Sequence, residues 1–343
     1  MKLAITPNDT LNFGKGKPST KGEDSFLADM FPPYPSVFLG ALRGSYLSLN
    51  ADEIPNAGQD NDPTSGFTIG HYSLLLNDIL HFPAPADYVW YNDVLNQLRL
   101  KNEESLSSNK LPYCLWANHD GKVSPSSDRW ISIDTLRLYL SDMPRTIESV
   151  EISDFCENEP HIGIARNMQT RTAEKSMLYN VSMTRVKDLS FAIEVDTINK
   201  KMPNNGILRL GSRNKTARYE YKNFDSNIST QIDGDIFRLY IATPAIFVKH
   251  GWKPDIEKLY GLELLAAAVD GYDCVGGYDI KNNRPKPMRR AVKAGSVYYY
   301  RLRNFTHERR AKLIENLHGM SITEERAKEG FGISYIGNVK GEI

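Results

Sequence analysis

The chain has 343 residues, enough for two ordinary domains, and its 41% hydrophobic and 24% charged residues exclude wholesale disorder. The 42 basic and 42 acidic residues cancel, so net charge gives no support to a polyanionic partner. Three scattered cysteines, Cys114, Cys156 and Cys274, argue against a disulfide framework or a zinc cluster, and no apolar run reaches the roughly 18 residues of a membrane span, so a cytoplasmic protein is expected.

MKLAITPND opens the chain as a strand, and NFGKGKPSTKGED follows as a Gly/Lys/Pro loop. PSVFLGALRGSYLSLN is a predicted helix with Ser36 as N-cap. Phe38, Leu42, Tyr46 and Leu49 recur at helical spacing and should be buried, with Gly40, Arg43 and Gly44 on another face. Two mid-helix glycines cost about 1 kcal/mol each relative to alanine. Something should therefore come close to that face: an RNA backbone or, more plainly, a tightly packed strand.

Residues 50–66 are an acidic, Asn-rich loop. GFTIGHYSLLL and ILHFPAPADYVW are predicted strands, 96–128 a polar surface insertion, and ISIDTLRLYLSD a second helix. Strand, helix, strands, helix is the element order of a ferredoxin-like unit. The second half is richer in strands: HIGIARN, SMLYNVSMTRV, LSFAIEVDTI, GILRLG, ARYEYKNF, IFRLYIATP and SVYYYRLR. Thr306 can cap a helix over HERRAKLIENLH, with Leu313, Ile314 and Leu317 apolar and Gly319 ending it.

Charge is polarised along the chain: residues 281–310 hold ten Lys or Arg against the single acid Glu308. Within them, RRAVKAGSVYYYRLR alternates so that Val297, Tyr299, Arg301 and Arg303 share one sheet face, and Ser296, Tyr298, Tyr300 and Leu302 the other. Tyrosine can stack on a base, arginine can meet phosphate, and Gly295 permits close backbone approach. An ordinary strand with a solvated basic face is an equal alternative. In HIGIARNMQTRTAEKSMLYN a strand with Ile162 and Ile164 leads into Arg166, Gln169, Thr170, Arg171 and Thr172, a loop able to hold a sugar-phosphate backbone or to serve as a plain hairpin connection. LRLGSRNKTARYEY gathers Arg209, Arg213, Lys215 and Arg218 about a Gly-Ser turn, either a basic hairpin tip or an anion cradle.

GFGISYIGN matches neither the P-loop nor the dinucleotide pattern, and the seven histidines show no metal-ligand spacing. His119-Asp120-Gly121 could orient a base but reads more simply as a turn. No cofactor, metal or catalytic residue is expected.

Taken in order, FGKGKP, GALRGSYL, HIGIARNMQTRTAEKSMLY, LRLGSRN, YIATPAIF with GWKPD, VGGYD, PKPMRRAVKAGSVYYY and GFGISYIGN resemble the RAMP-superfamily proteins that form the third subunit of the Cmr (type III-B) CRISPR effector complex. The resemblance implies an α+β fold of two ferredoxin-like (RRM-like) domains packed together with surface insertions, 1–155 and 156–343. It implies a non-catalytic subunit that grips the 5′ repeat-derived tag of the guide RNA and docks on the large polymerase-like subunit and the first backbone subunit. The positions it carries over as RNA-facing or architecture-defining are Arg43, Arg166, Thr170, Arg289, Arg290, Gly295, Ser296, Gly330 and Gly332, and Tyr298 or Tyr299 would stack on a base. Gly211-Ser212-Arg213 and Lys175-Ser176 depart from the acid-containing family pattern. The alternatives are a metal-independent endoribonuclease using His161, His119 or Tyr298, and a pure protein–protein scaffold.

Overall fold

A computed structural model describes residues 1–14, 26–27, 30–102, 110–143, 145–198, 200–279, 281–303 and 306–340, with the side chains of 26–27 and 174–179 outside the description. The Gly/Lys/Pro loop over 15–25, most of KNEESLSSNK and the Lys175-Ser176 side chains thus lie outside the described residues. Among the described residues no helix is long and apolar enough to cross a membrane.

Two antiparallel sheets carry the fold, in an α+β arrangement dominated by strands. The first has eight strands in the order Val150–Glu151, Arg129–Ser132, Ile79–Pro83, Thr68–Leu76, Leu189–Asp196, Lys2–Pro7, Thr216–Tyr221 and Asn205–Arg209. The second has five: Leu262–Ala268, Val297–Leu302, Ile236–Ile241, Ile333–Asn338 and Met320–Ser321. A division at 155/156 would cut the first sheet, because Leu189–Asp196 pairs with both Lys2–Pro7 and Thr68–Leu76. The sheet boundary falls after Tyr221, and Cys156–Val186 is an excursion between strands of the first sheet.

Side-chain alternation explains the layers. Leu3, Ile5, Leu74, Leu76, Phe191 and Ile193 pack on one face of the first sheet with helix α1, Pro35–Leu49, through Phe38 and Leu42. Their neighbours Ala4, Leu75 and Ala192 point the other way and join Ile236, Tyr240, Val297 and Tyr299 of the second sheet in a shared core. Helix α2, Ile133–Leu140, capped by Ser132 accepting from the Thr135 amide, sits in that same core. The far face of the second sheet, with Phe237, Leu239, Tyr298 and Tyr300, is covered by Leu313 and Leu317 of helix His307–Leu317. Thr306 caps this helix and Gly319 follows it, as predicted.

Two details of α1 differ from expectation. Tyr34, not Ser36, occupies the cap, with Pro35 in the first turn where its missing N–H costs nothing. Leu49 is exposed because the helix ends there and the chain turns away into Ala51–Asn56.

The core also holds an ionisable group. His71 is buried between Phe82 and Phe224, its Nε2 2.8 Å from the Ser73 hydroxyl. Burial, with nearby Lys2 adding to it, lowers its imidazole from 6.5 to about 3. The unfolded chain binds this proton near 6.5 and the folded chain does not, so the stabilisation is complete above 6.5 and declines as pH falls towards 3. The expected contribution is about 1.4 kcal/mol per pH unit. Urea titrations across this window should show that slope in the parent and a shallower one in His71→Gln.

Candidate nucleic-acid interface

Alpha-helix α1 presents Ser36, Gly40, Gly44 and Ser48, four residues apart and so one above another, to a groove. A Cβ built on Gly40 or Gly44 meets nothing within 4 Å among the described residues, so no described strand packs there and the face lines a groove of about 1500 Å³. The second wall is the hairpin region Ile207–Ser212 and the third the stretch Cys274–Met288. Among the described lining residues the charged ones are Arg209 and Lys286, and none is a carboxylate. The exposed ring in the lining is Tyr278, at 54% relative exposure, its hydroxyl donating to Asn283 at 2.6 Å. Ile207 is 68% exposed and adds apolar surface on the opposite wall. A concave wall of small hydroxyl residues, two cations and an available ring suits a polyanionic chain with flat bases.

The third wall stands on the hairpin Tyr272–Val275 with Arg289–Val292, which the 323–332 loop bolts in place. Arg289 Nε donates to Glu325 at 2.8 Å, Lys286 pairs with Glu329 at 2.6 Å, and Arg326 donates to the carbonyls of Gly276 and Pro287. Gly330 has φ 85°, and a Cβ there would lie 2.8 Å from Ile69 and 3.0 Å from Pro35. The Gly-rich loop thus joins the start of α1 to the hairpin opposite.

Several residues singled out in the sequence therefore do a different job. Tyr298 and Tyr299 do not offer a stacking face: the alternation is right, but both faces of their strand are covered. Tyr298 donates to the Trp252 carbonyl and Tyr299 to Asp87, each at 2.5 Å. Gly295, at φ 90°, makes its close approach to this chain, since a Cβ would stand 2.6 Å from the Ala84 carbonyl. Ser296 is buried and donates to the Lys293 carbonyl. Gly330 and Gly332 likewise press on Ile69, Pro35 and Thr323, leaving no gap for a phosphate.

Arg43 is tied down as well. It donates to Thr64 at 2.7 Å and to Asp62 at 2.6 Å. Burial of Asp62 opposes its ionisation, but the Thr64 hydroxyl, the Gly58 and Thr64 amides and Arg43 outweigh it and hold the carboxyl below its ordinary range. Arg43 is thus the anchor of the 57–66 loop. Arg289 is engaged with Glu325, which raises the guanidinium and lowers the carboxyl. Arg290 is exposed and lies 4.6 Å over the half-exposed Tyr272 ring.

Arg166 and Thr170 share a separate surface, the tip of a long arm in which Cys156–Arg166 pairs with Ala173–Val186. Asn167 Oδ1 accepts from the Gln169 and Thr170 amides, Arg166 donates to the Arg171 carbonyl at 3.3 Å, and the Thr170 and Thr172 hydroxyls bond at 2.8 Å. Met168 at the tip is 92% exposed, with Ile162 and Ile164 exposed behind it. In the LRLGSRN turn the Ser212 amide and hydroxyl both donate to Asn12, so that cradle is already filled.

The catalytic candidates sit on different elements. His119 stacks on Tyr91 at 4.5 Å, His161 lies 2.9 Å from Glu159 on the arm, and Tyr298 is buried with its hydroxyl pushed far up by burial.

Arg209, Tyr278 and the 276–288 stretch were not singled out together in the sequence. The available signal was the Gly40–Gly44 spacing, which marks one wall without identifying the other two.

A model of the family described as CRISPR-associated protein (Cas_Cmr3) matches residues 3–339. No curated protein matches. Among solved structures, a chain of the type III-B Cmr-beta complex bound to cognate target RNA superimposes with TM-score 0.54 and 16% identity, covering 87% of this chain and 86% of that one. A second such chain, from that complex bound to target RNA and AMPPnP, gives TM-score 0.52 and 16% identity over 87% of this chain and 86% of that one.

Proposed function

Since this chain belongs to the Cas_Cmr3 family of CRISPR-associated proteins, we propose that it is a non-catalytic RNA-holding subunit of a type III-B effector complex. The α1 groove holds the 5′ repeat-derived tag of the guide RNA, and other surfaces dock on the large polymerase-like subunit and the first backbone subunit. The observation that supports this most is the open Gly40–Gly44 face, an unfavourable pair of helix residues facing a groove without carboxylates among its described lining.

In this reading Arg209 meets phosphate while Lys286 stays paired with Glu329 at the groove wall, Tyr278 stacks on a base, and the arm tip with Arg166 and Thr170 reaches a separate stretch of the assembly. We also read both sheets as ferredoxin-derived. Numbered along the chain, Ile236–Ile241, Leu262–Ala268, Val297–Leu302 and Ile333–Asn338 lie side by side in the order 2-3-1-4, with a helix after the first and the third. Lys2–Pro7, Thr68–Leu76, Leu189–Asp196 and Thr216–Tyr221 repeat that order with α1 after the first.

Titration of a tag-sequence RNA against the purified protein at several salt concentrations tests the groove. Arg209→Ala should lower the slope of log affinity on log salt by about 1. Tyr278→Ala should weaken binding by about 1–3 kcal/mol with the slope unchanged. Parent-like slope and affinity in both variants would place the RNA elsewhere.

A further inference from the structure

The side chain left unexplained by the groove is Arg238. It is 1% exposed, in the middle of the strand Ile236–Ile241, with its guanidinium carbon 4.6 Å over the Tyr139 ring. It pairs with Asp142 at the end of α2, and its Nη1 lies 3.9 Å from Asp87, which is itself fully buried. Asp87 accepts from the Tyr139 hydroxyl at 3.0 Å and from the Tyr299 hydroxyl at 2.5 Å. Asp87, Tyr139 and Asp142 come from the first half of the chain, Arg238 and Tyr299 from the second sheet.

Asp87 ends a short segment that touches the second sheet at successive points. The Pro83 carbonyl accepts from the Tyr240 hydroxyl at 2.6 Å, and the Ala86 amide donates to the Gly295 carbonyl at 2.8 Å. Ala84 presses on Gly295 so closely that no side chain fits there. Gly295 is the root of the return limb of the excursion that leaves Leu262–Ala268, builds the hairpin Tyr272–Val275 with Arg289–Val292, and re-enters the sheet at Val297. The groove wall opposite α1 is the outer part of this excursion.

We propose that Pro83–Asp87, locked by Arg238, Tyr240 and Tyr299, is a clamp from the first half of the chain that sets where the 272–292 hairpin stands across from α1. Asp87, Arg238 and Tyr299 are then positioning residues for RNA: buried, remote from the ligand, and acting through the width of the groove. Its bearing on RNA rests on the groove reading above; its bearing on the hairpin does not. Apolar residues in place of a buried ionic group often serve packing equally well, so the role proposed for this one is to fix the arrangement.

Hydrogen exchange on the RNA-free protein, together with the salt titration, tests the clamp. Tyr299→Phe removes one hydroxyl from a well-packed ring, and Asp87→Asn keeps the shape while removing the charge, so one of the two remains informative where the other folds poorly. Either should speed amide exchange in the 272–292 hairpin on the order of tenfold while leaving the helix His307–Leu317 unaffected. Tag RNA should bind on the order of tenfold more weakly with an unchanged salt slope, because no phosphate contact is lost. Unchanged exchange in the hairpin, unchanged affinity despite faster exchange, or a reduced salt slope would each overturn the clamp. Failure of the parent protein to bind tag RNA would instead sink the groove reading, with the exchange result still deciding whether the hairpin is clamped.

Discussion

Gly40→Leu combined with Gly44→Leu is expected to leave the protein as stable as the parent or more so while weakening its hold on guide RNA. The two positions have ordinary helical backbone and, among the described residues, nothing within 4 Å of a Cβ, so a side chain can start from each without strain and extend into the groove. Helix propensity gains up to about 1 kcal/mol at each position. The new side chains fill the groove where nucleotides would lie against the backbone. Expelling the nucleotide stacked on Tyr278 alone costs about 1–3 kcal/mol, up to roughly a hundredfold in affinity. Thermal melting and RNA titration on the same preparations check both halves. A double variant that melts higher and still binds the tag like the parent would refute the proposed path. A lower melting temperature would show that the glycines answer to packing after all.

The second large effect concerns stability. Arg238→Met removes the guanidinium that faces Asp87 and Asp142 and leaves Asp87 buried among tyrosines. Burial pushes the Asp87 carboxyl up, and Arg238 with the Tyr299 and Tyr139 hydroxyls works against it, so losing the arginine strengthens the side that disfavours its charge. Removing one partner from such a pair costs about 3–5 kcal/mol. Arg238→Met with Asp87→Leu should recover much of the loss, because the orphaned charge leaves with its partner. Urea unfolding of the two single variants and the double variant closes the cycle. A cost below about 1 kcal/mol for Arg238→Met would mean that the cluster is not held by charge.

How far the sequence could be read depends on what the pattern encodes. Period-two alternation was legible: the strands named from Val, Ile and aromatic runs are present, and Val297 and Tyr299 do face away from Tyr298 and Tyr300. Alternation reports sides, not what covers them. SVYYYRLR was read as aromatic on a wet face, yet helix His307–Leu317 covers one side and the first sheet the other. The cluster of arginines and glycines was legible as composition and misleading as geometry. Arg43, Arg289, Gly295 and Gly330 each find their partner within the chain, at Asp62, Glu325, Ala84 and Pro35, positions remote enough in sequence that no local window contains both members.

The halves were misdivided for a related reason. The long strands of the 156–186 arm looked like the start of a new unit, whereas Leu189–Asp196 returns to the first sheet beside Lys2–Pro7. Arg238 inside IFRLYI gave no sequence signal at all, because its burial depends on Asp87 and Asp142 arriving from the other half. The costly Gly40–Gly44 pair was the most informative local feature. It marked a face that something must approach, and no described strand packs against it.

The most direct test is photocrosslinking of a guide RNA carrying 4-thiouridine in its 5′ tag to the assembled complex, followed by mass spectrometry of the linked peptides. Crosslinks should fall on residues 36–48 of α1, on 207–212 and on 274–288, the three walls of one groove. Crosslinks confined to the exterior of the second sheet and helix His307–Leu317, with none on α1, would contradict the account.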